Sequence, residues 1–116
     1  MEPFPSAACQ AFKKQILAFR ALVSQEFHPV QMMIFLDVIN QPKGTVTASY
    51  VQHAYGVSQV SASRHCRALT KRVNANRAGH DLCYWQLDDY DFRTKVLVLT
   101  EKGEQVAEEM RQHFSR

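Results

Sequence analysis

Apolar residues along the chain recur every three or four positions in some stretches and crowd together as β-formers in others. From about Ala8 to Glu26, the residues Phe12, Ile16, Phe19 and Val23 follow helical spacing. Pro29 suits the first turn of a second helix, Pro29 to Asn40, whose Met32-Met33-Ile34-Phe35-Leu36 run reads as buried. Gln41-Pro42-Lys43-Gly44 ends that helix. Thr47 is placed to cap a short third helix, and Gly56 reads as the left-handed residue of a tight turn. Ser58 caps a fourth helix expected to reach about Val73. After Gly79 the pattern changes: Leu82 to Leu87 and Lys95 to Leu99 read as strands around an Asp88-Asp89-Tyr90-Asp91 turn. Thr100 opens a last helix, Glu101 to about Phe114. This order predicts a mainly α fold with a β-hairpin wing, a winged helix-turn-helix.

A chain of 116 residues suffices for one domain and is too short for two. The expected layout is a single domain over 1–116. Within it, 1–26 forms a dimerisation helix, 47–73 the helix-turn-helix, 82–99 the wing and 101–114 the C-terminal helix. No apolar run approaches the roughly 18 residues that span a bilayer, so no membrane partner is expected. Met1-Glu2-Pro3-Phe4-Pro5 lacks the basic start and apolar stretch of a secretory leader. Cys9, Cys66 and Cys83 are odd in number and widely spaced, which fits reduced thiols in a cytoplasm.

The net charge of +3 is modest, but its distribution is uneven. Residues 58–80 hold Arg64, Arg67, Lys71, Arg72 and Arg77 with no acid at all. The segment before them is nearly balanced and the segment after them is acidic. An acid-free basic block inside a balanced chain is the footprint of a polyanionic partner. A solvated helix face is the plainer explanation, although such faces seldom avoid acids altogether.

Winding Ser58 to Val73 at helical pitch places Ala62, Cys66, Leu69 and Val73 on one apolar stripe. Val60, Arg64, Arg67 and Lys71 gather on the opposite side, with Ser63 beside them. Arginine can fork onto guanine edges, while lysine and serine can hold phosphates. An ordinary amphipathic helix would show the same periodicity. The short helix and Gly-containing turn just before it favour a helix-turn-helix.

Gly56-Val57-Ser58-Gln59-Val60-Ser61-Ala62-Ser63-Arg64-His65-Cys66-Arg67-Ala68-Leu69 resembles the turn and recognition helix of MarR-type and ArsR-type bacterial regulators. Asp91-Phe92-Arg93-Thr94-Lys95-Val96-Leu97-Val98-Leu99-Thr100-Glu101-Lys102-Gly103 resembles the MarR wing and the helix after it. The resemblance spans roughly residues 28–114. It implies a homodimer on double-stranded DNA, with Arg93 entering the minor groove and Asp91 orienting it. The DNA-facing set is then Gln59, Val60, Ser61, Ser63, Arg64, Arg67, Lys71 and Arg93. MarR-type proteins continue into a second C-terminal helix that helps to build the dimer. Here the interface is expected on Phe12, Ile16, Phe19 and Val23 of the first helix, with help from the last. The wing is also more acidic than usual. Asp88, Asp89 and Asp91 must turn from phosphate or aim Arg93.

No metal or other cofactor is expected, because His65, Cys66, His80 and Cys83 lack the spacing of a four-ligand site. Cys66 lies on the core stripe and reads as inert, and no catalytic Cys-His arrangement is supported, so an enzyme is not expected. Phe12, Phe19, Phe27 and Phe35 read as core or dimer interface before ligand pocket. A small-molecule effector stays open. The expected function is a homodimeric transcriptional repressor. Two alternatives remain: a plasmid- or phage-type DNA-binding protein with an architectural or replication/partition role, and a winged-helix protein–protein interaction module. The basic stripe speaks against the last.

Overall fold

The computed structural model describes residues 6–114, so the pentapeptide Met1-Glu2-Pro3-Phe4-Pro5 and the last two positions lie outside the described residues. Five helices and two hairpins follow in order. Helix α1 is Ala7–Leu22, capped by the Ser6 hydroxyl, and α2 is Pro29–Asn40 with Pro29 in its first turn. Helix α3 is Ala48–Tyr55, with Thr47 Oγ1 accepting from the Tyr50 N–H at 2.9 Å. Gly56 then takes a left-handed φ of 66°, which costs glycine little. Helix α4 is Gln59–Ala68, capped by Ser58. Strands β1, Arg72–Asn74, and β2, Arg77–Ala78, form a first hairpin. Strands β3, Cys83–Leu87, and β4, Lys95–Leu99, form a second and longer one. Helix α5, Glu101–Phe114, begins where Thr100 Oγ1 accepts from the Gly103 N–H at 2.9 Å.

The core gathers at the crossing of all five helices and the second hairpin. Ile34, Phe35, Val51, Ala62, Cys66, Leu69, Leu82 and Met110 are fully buried there. Phe19 meets Phe27 and Phe35 edge-on at centroid distances of 5.6 and 6.2 Å. Such contacts add about 0.5–1.5 kcal/mol each beyond area burial. The Leu97 N–H donates to the Val46 carbonyl at 2.9 Å, which ties the second hairpin to the segment entering α3. Asp37 of α2 accepts from the hydroxyls of Tyr50 and Tyr55, fixing α3 on α2. Burial, followed by these contacts with Asp37, pushes both phenols above their ordinary range.

Four expectations need correction. Helix α4 stops at Ala68 instead of continuing to Val73. Thr70 Oγ1 donates back to the Arg67 carbonyl at 2.7 Å, and the carbonyls of Ala68, Leu69 and Thr70 are taken by N–H groups of residues 80–83. The chain thus caps the helix from a distance. The hairpin Arg72–Ala78 was not anticipated, and Val73 lies half-buried in it. Within the Met32–Leu36 run, Met33 is 43% exposed because it turns away from the core. Among the interface residues expected on α1, Phe19 is buried in this chain's own core while Phe12 stands 64% exposed.

Candidate nucleic-acid interface

Helix α4 keeps its apolar stripe inward as far as Leu69, where Ala62, Cys66 and Leu69 are all fully buried. The opposite face carries Gln59, Val60, Arg64 and Arg67, all exposed, with Ser61 and Ser63 half-buried beside them. Val60 is 66% exposed, a branched apolar group in solvent on a face otherwise polar. Such a group suits a thymine methyl in a major groove. Lys71 is exposed but lies beyond the end of α4, so it does not extend that helical face as expected.

Between α4 and the second hairpin runs an open cleft of about 570 Å³. Ser63 and Arg67 line one wall, Arg93, Thr94 and Lys95 another, and the first turn of α3 closes its end. The structure therefore brings Arg67 of α4 and Arg93 of the second hairpin to one concave basic surface. Lys95 and Trp85 share it, although neither was singled out from the sequence; the available signal was a second cation two positions after Arg93. Cations lining a concave surface concentrate field where a phosphate would lie.

The wing tip departs from the expected Asp91–Arg93 pair. Asp91 Oδ1 accepts from the Arg93 backbone N–H at 3.0 Å, and Asp91 Oδ2 accepts from Thr94 Oγ1 at 2.8 Å. Among the described residues no ion pair joins Asp91 to the Arg93 guanidinium. The backbone N–H of Arg93, then the Thr94 hydroxyl, hold the Asp91 carboxyl below its ordinary range. Asp91 shapes the turn that presents Arg93, and a local backbone bond achieves this where a side-chain pair was expected.

On the other flank of α4, a polar cleft of about 350 Å³ is lined by Arg64, His65, Arg77 and His80 among others. Gln31, buried on α2, spans its floor. Its Nε2 faces His65 Nδ1 at 3.2 Å, and its Oε1 faces His80 Nε2 at 3.2 Å. An amide donates only through nitrogen, so this orientation requires a bare Nδ1 on His65 and a proton on Nε2 of His80. Burial, with His28 and Arg64 nearby, lowers the His65 pKa; burial, Lys102 and Arg77 lower that of His80 against an opposing Glu26.

Burial also pushes the Cys66 and Cys83 thiols up to about 12, whereas Cys9 is exposed. Phe12, Ile16, Phe19, Met32 and Met33 line an apolar hollow of about 240 Å³ between α1 and α2. Among the described residues, no group of three or more His, Cys, Asp or Glu side chains is placed to hold a metal.

No protein-family model matches the chain, and no curated protein matches it in sequence. Solved structures do match. The S. aureus MepR–DNA complex superposes with a TM-score of 0.71 at 16% identity, covering 93% of this chain and 73% of that one. CouR, a transcriptional repressor bound to a 23-mer DNA duplex, gives 0.63 at 17% identity over 94% of this chain and 68% of the other. MarR itself gives 0.57 at 14% identity, covering 96% and 77%. The fold is the MarR-type winged helix. In the terms of that fold, α3 and α4 form the helix-turn-helix, β3 and β4 form the wing, and β1–β2 is a further hairpin between them. No helix among the described residues is long and apolar enough to cross a membrane.

Proposed function

We propose that this MarR-type winged helix binds double-stranded DNA as a homodimer and represses transcription by occupying a promoter. The observation that carries the reading is the cleft shared by Ser63 and Arg67 of α4 with Arg93 and Lys95 of the wing. In the proposed complex α4 enters the major groove. Arg64 and Arg67 reach base edges or phosphates there, while Gln59, Val60, Ser61 and Ser63 sit at its entry. Arg93 enters the adjoining minor groove, where A·T-rich sequence concentrates negative potential. The DNA complexes of MepR and CouR, which share the fold, support this assignment.

A two-fold pairing would set two recognition helices about 34–36 Å apart on a pseudo-palindrome. The exposed Phe12 and Met33, beside the apolar hollow between α1 and α2, support α1 as part of the pairing surface. Free cysteines fit a reducing cytoplasm. The role proposed is binding, not catalysis.

Titration of a mixed-sequence duplex across a salt series tests the reading. A dimer engaging ~6–10 phosphates loses ~10³–10⁵ in affinity between about 50 and 200 mM salt. Salt-independent binding, or none at low salt, would overturn it.

A further inference from the structure

We propose that the hairpin Arg72–Ala78 is a second DNA-backbone grip, one that places Lys71, Arg72 and Arg77 on phosphates at the flank of α4 away from the wing. The proposal rests on the DNA-binding reading above and extends it to a surface which that reading leaves unused.

The first support is charge. Lys71, Arg72 and Arg77 are all exposed, and no acid lies in the chain between Ser58 and His80. A two-stranded ribbon this short buries little of its own, with only Val73 half-buried. It owes its shape to local bonds: the Asn76 N–H donates to Asn74 Oδ1 at 2.8 Å, and an Arg72 guanidinium N–H donates to the Ala75 carbonyl at 3.3 Å. That bond uses one of five guanidinium donors and leaves the others for an anion.

The second support is rigidity. The Gly79 N–H donates to the Lys71 carbonyl, the His80 N–H to Ala68, the Asp81 N–H to Thr70, and the Leu82 N–H to Leu69, at 2.8–3.1 Å. The returning strand thus occupies the carbonyls that α4 leaves open at its C-terminus. Gly79 permits this approach, because a Cβ there would stand 2.0 Å from the Thr70 carbonyl oxygen. The hairpin is thereby bonded directly to the end of α4.

The third support is position. Arg77 of the hairpin and Arg64 on the outward face of α4 line the same cleft of about 350 Å³, with Glu26 the acid at its edge. Ser63 and Arg67 line the cleft on the wing side. Helix α4 is therefore flanked by two basic hollows. DNA that meets Arg67 and Arg93 on one side presents its neighbouring phosphates to Arg64 and Arg77 on the other.

The test measures binding of a fluorescent mixed-sequence duplex over a salt series for the unaltered protein, for Arg72→Ala with Arg77→Ala, and for Arg72→Lys with Arg77→Lys. Each lost phosphate contact reduces the slope of log affinity against log salt by about 0.9, so the alanine pair should lower it by about 2 per protomer and weaken binding roughly tenfold or more. The lysine pair keeps the charge and should keep the slope, which separates loss of contact from loss of fold. Hydroxyl-radical footprints should shorten at both ends with the alanine pair. An unchanged slope and footprint, while the unaltered protein binds, would overturn the hairpin grip and leave the DNA reading intact. Loss of slope in the lysine pair would also overturn it, since charge would then not be what matters. Absence of any duplex binding by the unaltered protein would remove both.

Discussion

The two hairpins differ in how much buried side-chain packing holds them in place. The wing, β3–β4, pairs in unbroken register from Cys83↔Leu99 to Leu87↔Lys95, and it is anchored in the core through Leu82, Cys83 and Leu97. Its tip is acidic. The short hairpin, β1–β2, has an interrupted register, contributes no fully buried side chain and carries Arg72 and Arg77 with no acid. The wing is positioned by apolar packing at its root together with main-chain bonds from Leu97 to Val46 and from Cys83 to Leu69, none of which involves its tip. The short hairpin is positioned by backbone hydrogen bonds to the end of α4, which leaves its side chains free to be charged. Packing and main-chain bonding thus serve the same end, a fixed loop beside α4, with different sensitivities.

The largest expected contrast is in stability. Leu82→Ala opens a cavity at a fully buried site at the wing root and should cost about 2–5 kcal/mol. Val73→Ala in the short hairpin should cost less than about 1 kcal/mol, since that side chain is only half-buried. Urea midpoints measure both, and equal losses would dissolve the contrast. Gly79→Ala attacks the short hairpin where it is bonded: a methyl group 2.0 Å from a carbonyl forces the returning strand away, costing about 1–3 kcal/mol. Amide exchange should rise at residues 79–82 and stay slow in β3 and β4. Uniform exchange across both hairpins would show that they do not open separately.

At the wing tip the effects fall on binding and not on folding. Arg93→Ala should weaken duplex binding and erase any preference for A·T-rich flanks. Asp91→Ala releases the Arg93 backbone and should weaken binding severalfold, although it removes a negative charge near phosphate. Tighter binding by Asp91→Ala would mean that repulsion outweighs the turn. Titration of both variants against A·T- and G·C-flanked duplexes decides the matter.

The smallest effect separates the hairpins by pH. His65 and His80, beneath the short hairpin, have pKa values lowered from an ordinary 6.5, so the unfolded chain binds the extra protons first. Their contribution is complete above about pH 6.5 and is lost as pH falls from there through the lower folded values. Protonation of His65 Nδ1 also sets a donor against the Gln31 amide. Asp91 is lowered from 3.8, so the wing-tip bonds persist to far more acid conditions. Exchange rates followed from pH 7 to 5, corrected for intrinsic chemistry, should rise around residues 77–81 before the wing responds. A simultaneous response would place the sensitive group elsewhere.

What was legible in the sequence was local. Pro29, Thr47, Ser58 and Thr100 mark helix starts because a ring or a hydroxyl acts within three residues of itself. Gly56 marks its turn for the same reason. The wing strands were legible because β-branched and aromatic residues cluster in them. The end of α4 was not, because residues 80–83 satisfy its carbonyls from across the fold and Val73 continues the apolar spacing by coincidence. The burial of Phe19 depends on Phe27 and Phe35, which no spacing within α1 reveals. The exposure of the α4 cations Arg64 and Arg67 was legible from periodicity and charge. Their division between two clefts needed the hairpins in place.

Cys66 and Cys83 give the molecule an internal clock. One thiol lies on the inner side of α4 and the other at the root of the wing, both fully buried and both with a pKa near 12. Neither can be alkylated while the helix–wing unit is closed, whereas Cys9 on α1 stands exposed. The rate at which a thiol reagent reaches the slow pair therefore counts openings of the helix–wing unit. Bound DNA that holds this unit shut would slow the clock by a factor of about one plus the ratio of free DNA concentration to Kd, so that each ~1.4 kcal/mol of stabilisation slows it about tenfold.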